Sequence, residues 1–271
     1  MLHETIKLYE DDPRVTLTSY IHTDAPELRI APRPALIVFP GGGLSFLSER
    51  EAEPVALEFF AEGMNVFVLR YSIREFGQFP LPLLDASLAV TYVRRHSAEL
   101  NIDPHSIYTV GFSAGGYVSA MLGVRWHEYF IREELDIAYG ENRPDGMILA
   151  YPVITAGEYA HRGTIDISLG DDVDEAELED HSLELFVTEK TPPAFLWHTS
   201  DDGAVPVENS LLFASALSAN GIPFELHIYP NGPHGLSLAT RETSCGNPGL
   251  EDPRIAEWTR LATAWIRERI G

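Results

Sequence analysis

The 271-residue sequence is poor in several features that mark particular classes of protein. It contains one cysteine, Cys245, so it cannot form an internal disulfide, and this fits a reducing compartment. No apolar run approaches the roughly 20 residues that a membrane-spanning helix requires. Residues 1–12 lack the basic and apolar stretches of a secretory signal. These absences predict a cytoplasmic protein that does not associate with membranes.

Basic residues are also scarce. The chain has 19 Lys and Arg against 41 Asp and Glu, for a net charge of −22. This excess repels the phosphates of nucleic acids and of anionic membranes, which argues against both as partners. The same charge fits either solubility alone or adaptation to high salt. No Cys and His cluster is spaced to hold a metal, and no cofactor is expected.

The residues that are present indicate a globular α/β protein. Hydrophobic residues make up 45% of the chain, and its length suits one domain. Short apolar runs alternate with amphipathic stretches, which predicts βαβ units and a mostly parallel, doubly wound sheet. The predicted strands are 15–21, 35–39, 65–70, 107–111, 146–150, 194–198 and 224–229, and the predicted helices are 51–61, 83–97, 114–124, 207–219 and 254–269.

The stretch 155–193 is long for a connection between two strands. It contains an acidic, helix-prone run at 171–185. Long connections in compact domains are usually lids or specificity loops. We therefore predict a small cap segment at 155–193 within a single domain at 1–271. The alternative is a solvated acidic face without a role.

Residues 111–116, Gly-Phe-Ser-Ala-Gly-Gly, follow an apolar run and precede a helical stretch of small residues. A G-x-S-x-G pentapeptide between a strand and a helix is the setting of a nucleophile elbow. Gly111 and Gly115 remove Cβ atoms that would collide across so sharp a turn. The N–H groups that begin the helix favour negative charge developing beside the serine. We predict Ser113 as a nucleophile, against the alternative of a plain glycine-rich turn.

A second glycine run, 41–43, lies at the end of an early apolar strand. Acyl transfer through a tetrahedral intermediate needs N–H donors aimed at the oxyanion, and glycine lets the backbone approach it. Gly42 and Gly43 are candidate donors for this oxyanion hole, together with the N–H of Ala114. A phosphate-binding loop would continue with Lys and Ser or Thr. The residues that follow are Leu-Ser-Phe-Leu, which argues against that alternative.

Two later turns carry the side chains that such a serine needs. An apolar strand ends in a histidine, and the next turn holds Asp201 and Asp202. In hydrolases with this elbow the acid lies four residues after the strand end, which selects Asp202 and leaves Asp201 as a turn former. His234 lies on a loop after the last strand, where a base can reach both partners. A solvated loop histidine is the alternative, but the order Ser113, Asp202, His234 is that of α/β-hydrolases.

With these motifs the chain resembles the bacterial acetylesterase and acetyl-xylan-esterase-like branch of the α/β-hydrolases, related to the hormone-sensitive-lipase-like esterases. The resemblance covers nearly the whole chain. It implies a serine esterase acting on short acyl groups, such as acetyl groups on sugars or xylo-oligosaccharides, with Ser113, Asp202 and His234 as the catalytic triad. Further segments that carry it are Ser-Glu-Arg-Glu-Ala-Glu-Pro at 48–54, Tyr-Pro-Val-Ile-Thr at 151–155, His-Arg-Gly-Thr at 161–164, Thr-Pro-Pro-Ala-Phe-Leu-Trp-His-Thr at 191–199 and Val-Pro-Val-Glu-Asn-Ser at 205–210.

The sequence departs from the wider hormone-sensitive-lipase pattern at one position. The glycine motif of that group begins with His, whereas this chain has Pro40. Another residue must therefore fix the glycine run 41–43, which is called the oxyanion loop below. The short cap argues against long-chain lipids and for a small-molecule ester as substrate. A serine peptidase of the same fold and a non-catalytic binding protein are the alternatives, because one fold serves several functions. Assembly into a homo-oligomer is left open.

Overall fold

The computed structural model describes residues 1–23, 26–28, 32–170 and 175–270. Within them lies an eight-stranded sheet of order β1-β2-β4-β3-β5-β6-β7-β8. The β1–β2 and β2–β4 pairs are antiparallel, and the other pairs are parallel. The predicted mostly parallel sheet is therefore confirmed. The strands are β1 (Leu2–Lys7), β2 (Thr16–Ile21), β3 (Arg33–Phe39), β4 (Asn65–Arg70), β5 (Ile102–Phe112), β6 (Gly146–Ala150), β7 (Ala194–Thr199) and β8 (Phe224–Tyr229).

Helices cover both faces of the sheet, which confirms the predicted doubly wound arrangement. One face carries α2 (Leu81–Arg95), α3 (Ala114–Arg125) and α7 (Glu208–Ala219), and the other carries α1 (Glu53–Ala61) and α8 (Trp258–Arg267). Each face has its own buried apolar cluster. None of the helices within the described ranges has both the length and the apolar character needed to cross a bilayer.

Burial along the strands explains which of them the sequence reveals. Every residue of β6 and β7 is buried, because helices cover both faces of these central strands. Such strands read as continuous apolar runs. The edge strand β1 is exposed at most positions and mixes polar with apolar residues. For this reason β1 is absent from the strands predicted from the sequence.

Two predicted helices begin two or more residues later in the structure than the apolar pattern suggested. The helix predicted at 51–61 begins at Glu53, and a 3-10 turn at Glu49–Glu51 precedes it. The helix predicted at 254–269 begins at Trp258. In the second case Asp252 Oδ1 accepts a hydrogen bond from the N–H of Arg254 at 2.8 Å, which turns the chain before the helix starts.

The long connections contain short helices. The charged stretch 125–145 holds α4 (Tyr129–Leu135), which follows α3 after a break. The stretch 155–193 holds α5 (Arg162–Leu169) and α6 (Glu175–Asp180). Part of the predicted acidic run at 171–185, residues 171–174, lies outside the described residues.

The topology brings distant loops to one edge of the sheet. Strands β3, β5, β7 and β8 are each followed by a loop that holds a residue predicted for the site. Because parallel strands have their carboxyl ends at the same edge, these loops meet there although they are far apart in sequence.

Candidate active site

Ser113 lies in the sharp turn between β5 and α3, with a φ of 52° and a ψ of −118°. A positive φ is strained for any residue except glycine, and it persists only where the surroundings hold it. The backbone of Ser113 is held on two sides. Its N–H donates to the carbonyl of Ala150 at 3.0 Å, and its carbonyl accepts from the N–H of Val153 at 3.1 Å. The strand, turn and helix that the motif predicts are therefore present around this serine.

The glycines of this turn are required by close backbone packing. A Cβ on Gly115 would lie 2.1 Å from the carbonyl oxygen of Phe39, and one on Gly111 would lie 2.4 Å from the carbonyl oxygen of Gly115. Both obstructing atoms belong to the backbone, so they cannot swing aside as a side chain would. The early glycine loop after β3 and the elbow after β5 are thus in direct contact.

We expect Gly115→Ala to reduce the free energy of unfolding by about 1–3 kcal/mol or more. This is the usual cost of inserting a methyl group into a well-packed interior. Gly203→Ala is the matched control, because a Cβ there would meet nothing within 4 Å. The control should change stability by less than about 0.5 kcal/mol. Urea unfolding of the two variants measures the difference, and equal stabilities would contradict the packing argument.

The structure brings the three predicted side chains together. His234 Nε2 lies 2.8 Å from Ser113 Oγ, and His234 Nδ1 lies 2.7 Å from Asp202 Oδ2. An ionised carboxylate can only accept, so Nδ1 carries a proton and donates it to Asp202. Nε2 is then free to accept the hydroxyl proton of Ser113. This is the arrangement in which a histidine can act as general base towards a serine.

Asp202 is held by the backbone and by a second histidine. Its Oδ1 accepts from the N–H groups of Ala204 at 2.9 Å and Val205 at 3.0 Å. The Nε2 atom of His198 lies 3.5 Å from Oδ2. Burial opposes the charge of this carboxylate, but the hydrogen bonds from His198, His234 and the backbone outweigh it and lower the pKa of Asp202. Asp202 is therefore ionised at neutral pH.

The neighbouring Asp201 has a different role from the one the sequence suggested. It was expected to bond within its own turn. Its Oδ1 instead accepts the N–H of Gly232 at 2.7 Å. This bond joins the turn that holds Asp202 to the loop that holds His234.

The predicted oxyanion donors lie beside the elbow. Gly42 and Gly43 have φ values of 130° and 63°, which only glycine adopts without strain. Among the described residues, none accepts a hydrogen bond from the N–H of Gly42 or Gly43. The N–H of Ala114 begins α3, where helical donors have no partner within the helix. All three N–H groups are thus available for an oxyanion.

Where the wider hormone-sensitive-lipase group has a histidine, this chain has Pro40, and the peptide that follows Pro40 is bonded to Glu51. Its Oε2 accepts the N–H of Gly41 at 2.9 Å, next to Pro40. No sequence pattern predicted a role for Glu51. It does lie in the segment 48–54 that carries the family resemblance, but its spacing from the glycine motif did not reveal the contact.

His161 is a second residue near the site that was not among the predicted site residues. Its Nδ1 accepts the N–H of Thr164 at 3.2 Å, so its own proton is on Nε2. Its Cε1 lies 3.9 Å from the position that a Cβ on Gly43 would occupy. Burial, and then the charge of His234, lowers the pKa of His161. A neutral imidazole therefore lies beside Gly43. His161 belongs to the segment 161–164, which is one of those that carry the family resemblance.

A cavity of about 820 Å³ borders His234 on the side of the turn at 201–204, and neither Ser113 nor the glycines at 42 and 43 line it. Three carboxylates, those of Asp201, Glu251 and Asp252, line its wall. Over the part of the chain that the structure describes, no group of three or more His, Cys, Asp or Glu residues is arranged to hold a metal ion.

A doubly wound sheet with a serine elbow after β5, an acidic turn after β7 and a histidine loop after β8 is the architecture of the α/β-hydrolases, and this protein is one of them. Residues 23–217 match the family described as BD-FAE. The chain belongs to this family.

Two relatives of the chain are named for xylan or its acetyl esters. It is similar to Endo-1,4-beta-xylanase B of Butyrivibrio fibrisolvens, with 41% identity over 87% of this chain and 36% of that protein. It is also similar to Acetylxylan esterase of Xylanibacter ruminicola, with 31% identity over 76% of this chain and 42% of that protein. The chain thus spans less than half the length of these curated relatives.

A solved structure matches nearly the whole chain. It is the acetyl ester-xyloside bifunctional hydrolase from Caldicellulosiruptor lactoaceticus, with 39% identity and a TM-score of 0.83 over 98% of this chain and 96% of that chain. The resemblance to the acetylesterase branch of the α/β-hydrolases, stated above from the motifs, is therefore confirmed.

Proposed function

We propose that the protein is a serine esterase that hydrolyses short acyl esters, with acetyl groups on xylose-containing sugars as its substrates. The observation that carries the proposal is the chain of contacts from Ser113 Oγ to His234 at 2.8 Å and from His234 to Asp202 at 2.7 Å. The similarity to an acetylxylan esterase and to an acetyl ester-xyloside hydrolase supports the choice of acetylated sugars.

In the proposed reaction, Ser113 Oγ forms a bond to the ester carbonyl carbon while His234 Nε2 takes the hydroxyl proton. His234 then gives this proton to the alcohol oxygen as the bond from that oxygen to the carbonyl carbon breaks. Water repeats the cycle on the acyl-enzyme and releases the acid. Asp202 keeps the proton of neutral His234 on Nδ1 and stabilises the imidazolium that forms.

The oxyanion of each tetrahedral intermediate is bound by the N–H groups of Gly42, Gly43 and Ala114. These donors are backbone groups, so they need little reorganisation as the charge develops. Their lack of other acceptors within the described ranges supports this role.

We further propose that 155–193 is a small cap within a single domain at 1–271. His161 supports this proposal, because the segment contributes a side chain beside Gly43. The Nε2–H of His161 is available to donate to a bound ester. The helices α5 and α6 of this segment have eight and six residues, which is short for a lid over a long acyl chain and favours acetyl esters.

A panel of substrates tests the function. We expect hydrolysis of p-nitrophenyl acetate and of acetylated xylo-oligosaccharides, with kcat/KM for the octanoate ester lower by about tenfold or more, because methylenes that do not fit the site lose binding energy in the transition state. A preference for aminoacyl-p-nitroanilides would identify a peptidase instead. Inactivity towards esters and anilides alike would leave the binding protein as the interpretation.

A further inference from the structure

We infer that Glu51 is a positioning residue that holds the oxyanion loop and the loop of His234 in fixed relation to each other. The inference rests on the proposed esterase function and extends it to a residue outside the triad. Glu51 is almost fully buried, at 3% exposure. Burial of a carboxylate destabilises the fold unless each oxygen accepts a hydrogen bond. The donors around Glu51 therefore indicate its role.

One oxygen of Glu51 holds the peptide that leads into the oxyanion loop. Oε2 accepts the N–H of Gly41 at 2.9 Å, while the hydroxyl of Tyr71 donates to the carbonyl of Pro40 at 2.5 Å. The peptide group between Pro40 and Gly41 is therefore bonded at both its N–H and its C=O. A Cβ on Gly41 would lie 2.7 Å from the carbonyl oxygen of Phe112 and 2.8 Å from Oε2 of Glu51. The loop is thus packed between Glu51 and the serine elbow.

The other oxygen of Glu51 reaches the loop that carries His234. Oε1 accepts from the hydroxyl of Tyr151 at 2.7 Å, and that hydroxyl accepts the N–H of Ser237 at 2.9 Å. The ring of Tyr151 lies against the imidazole of His234, with centroids 5.0 Å apart and planes at 70°. Burial, and then the charge of Glu51, raises the pKa of Tyr151, so the hydroxyl keeps its proton and donates it. Both loops are therefore tied to one carboxyl group.

The donor pattern requires a carboxylate at this position. The N–H of Gly41 can only donate, and Glu51 Oε1 is the acceptor that the described residues offer to the proton of the Tyr151 hydroxyl. Each oxygen of Glu51 therefore faces a donor. A glutamine of the same shape would place its NH₂ group against one of these donors and leave that bond unmade.

The 3-10 turn around Glu51 makes further bonds to the same histidine loop. The Nη2 of Arg50 donates to the carbonyl of Gly235 at 2.7 Å, and the hydroxyl of Ser237 donates to the carbonyl of Arg50 at 2.6 Å. These bonds keep the loop attached to the turn if the carboxylate is replaced. A Glu51 variant is therefore expected to fold while the oxyanion loop shifts.

The test is Glu51→Gln, measured with p-nitrophenyl acetate and with a boronic acid that forms a tetrahedral adduct on Ser113. Donors of an oxyanion hole act only at hydrogen-bond distance, and a displacement of about 1 Å can cost 10²-fold. We expect kcat to fall about 10- to 10²-fold with little change in KM, since the interaction is made in the transition state. Affinity for the boronic acid should fall in parallel.

Asp145→Asn is the matched control. Asp145 also accepts a backbone N–H, that of Ile107 at 2.9 Å, together with Arg94 at 3.0 Å. It precedes β6, at the edge of the sheet opposite to the site. This variant should lower the melting temperature and leave kcat and the boronic acid affinity unchanged. A general loss of stability is thereby separated from a loss of positioning.

Glu51→Gln with wild-type kcat and wild-type boronic acid affinity would overturn the inference, whatever its melting temperature. Tyr151→Phe is the second variant, because it removes one partner of Glu51 and keeps the bond to Gly41. We expect a smaller loss of kcat in this variant, and wild-type kcat would again contradict the inference. An inactive wild type would instead refute the proposed esterase, before any variant is compared.

Discussion

Replacement of Ser113 by alanine is expected to lower kcat for p-nitrophenyl acetate by about 10⁴- to 10⁶-fold, the loss seen when a serine hydrolase lacks its nucleophile. Alanine removes the oxygen that forms the acyl-enzyme and leaves the surrounding donors in place. Steady-state rates measure the loss. Mass spectrometry after treatment with a fluorophosphonate provides a second measurement, because the wild type should gain one covalent adduct and the variant none.

Ser119→Ala is the control for this substitution. Ser119 is a buried serine of α3, and its hydroxyl lies 2.8 Å from that of Thr109. It is a serine like Ser113 and lies in the helix that follows Ser113, but its hydroxyl bonds Thr109 and not His234. The control should keep its activity and its fluorophosphonate adduct. Adduct formation on Ser113→Ala would show that another residue is the nucleophile.

Replacement of Asp202 by asparagine is expected to lower kcat on the order of 10⁴-fold. The NH₂ group of asparagine would donate to Nδ1 of His234, which moves the imidazole proton to Nε2. Nε2 could then no longer accept the proton of Ser113. The loss should persist across the whole pH–rate profile, because the wrong tautomer is present whenever the histidine is neutral.

Asp201→Asn separates the two aspartates of this turn. Asp201 is exposed and bonds the N–H of Gly232, which an asparagine oxygen can also accept. We expect a far smaller loss of kcat than for Asp202→Asn. The reverse order of effects would refute the assignment of Asp202 as the acid.

Because the pKa of Asp202 is lowered, the effect of Asp202→Asn on stability should depend on pH. A carboxyl group whose pKa in the folded protein lies below its usual value of 3.8 stabilises the fold above that pH. This contribution is lost as the pH falls below 3.8. Asp202→Asn should therefore be less stable than the wild type at neutral pH, and urea unfolding should show the difference shrinking under acid conditions. A constant difference would contradict the pKa direction.

Local patterns in the sequence were sufficient to predict most of the sheet and the sharp turn that holds Ser113. The central strands are continuous apolar runs because both of their faces are buried, and the elbow needs Gly111 and Gly115 because no Cβ fits. Both signals come from residues adjacent in the chain. The edge strand Leu2–Lys7 gave no such signal, since it is largely exposed and its composition is mixed.

The contacts of Glu51 and His161 could be seen only in the tertiary structure. Glu51 bonds Tyr151, 100 positions away in the chain, and His161 approaches Gly43 from a different segment. Neither pair shares a local pattern, because a hydrogen bond between loops depends on where the sheet brings those loops. The amino-acid order thus identifies residues able to carry out the chemistry, while the folded backbone decides which polar groups meet. The physical reason is that a buried donor and a buried acceptor must pair, however far apart they are in the sequence.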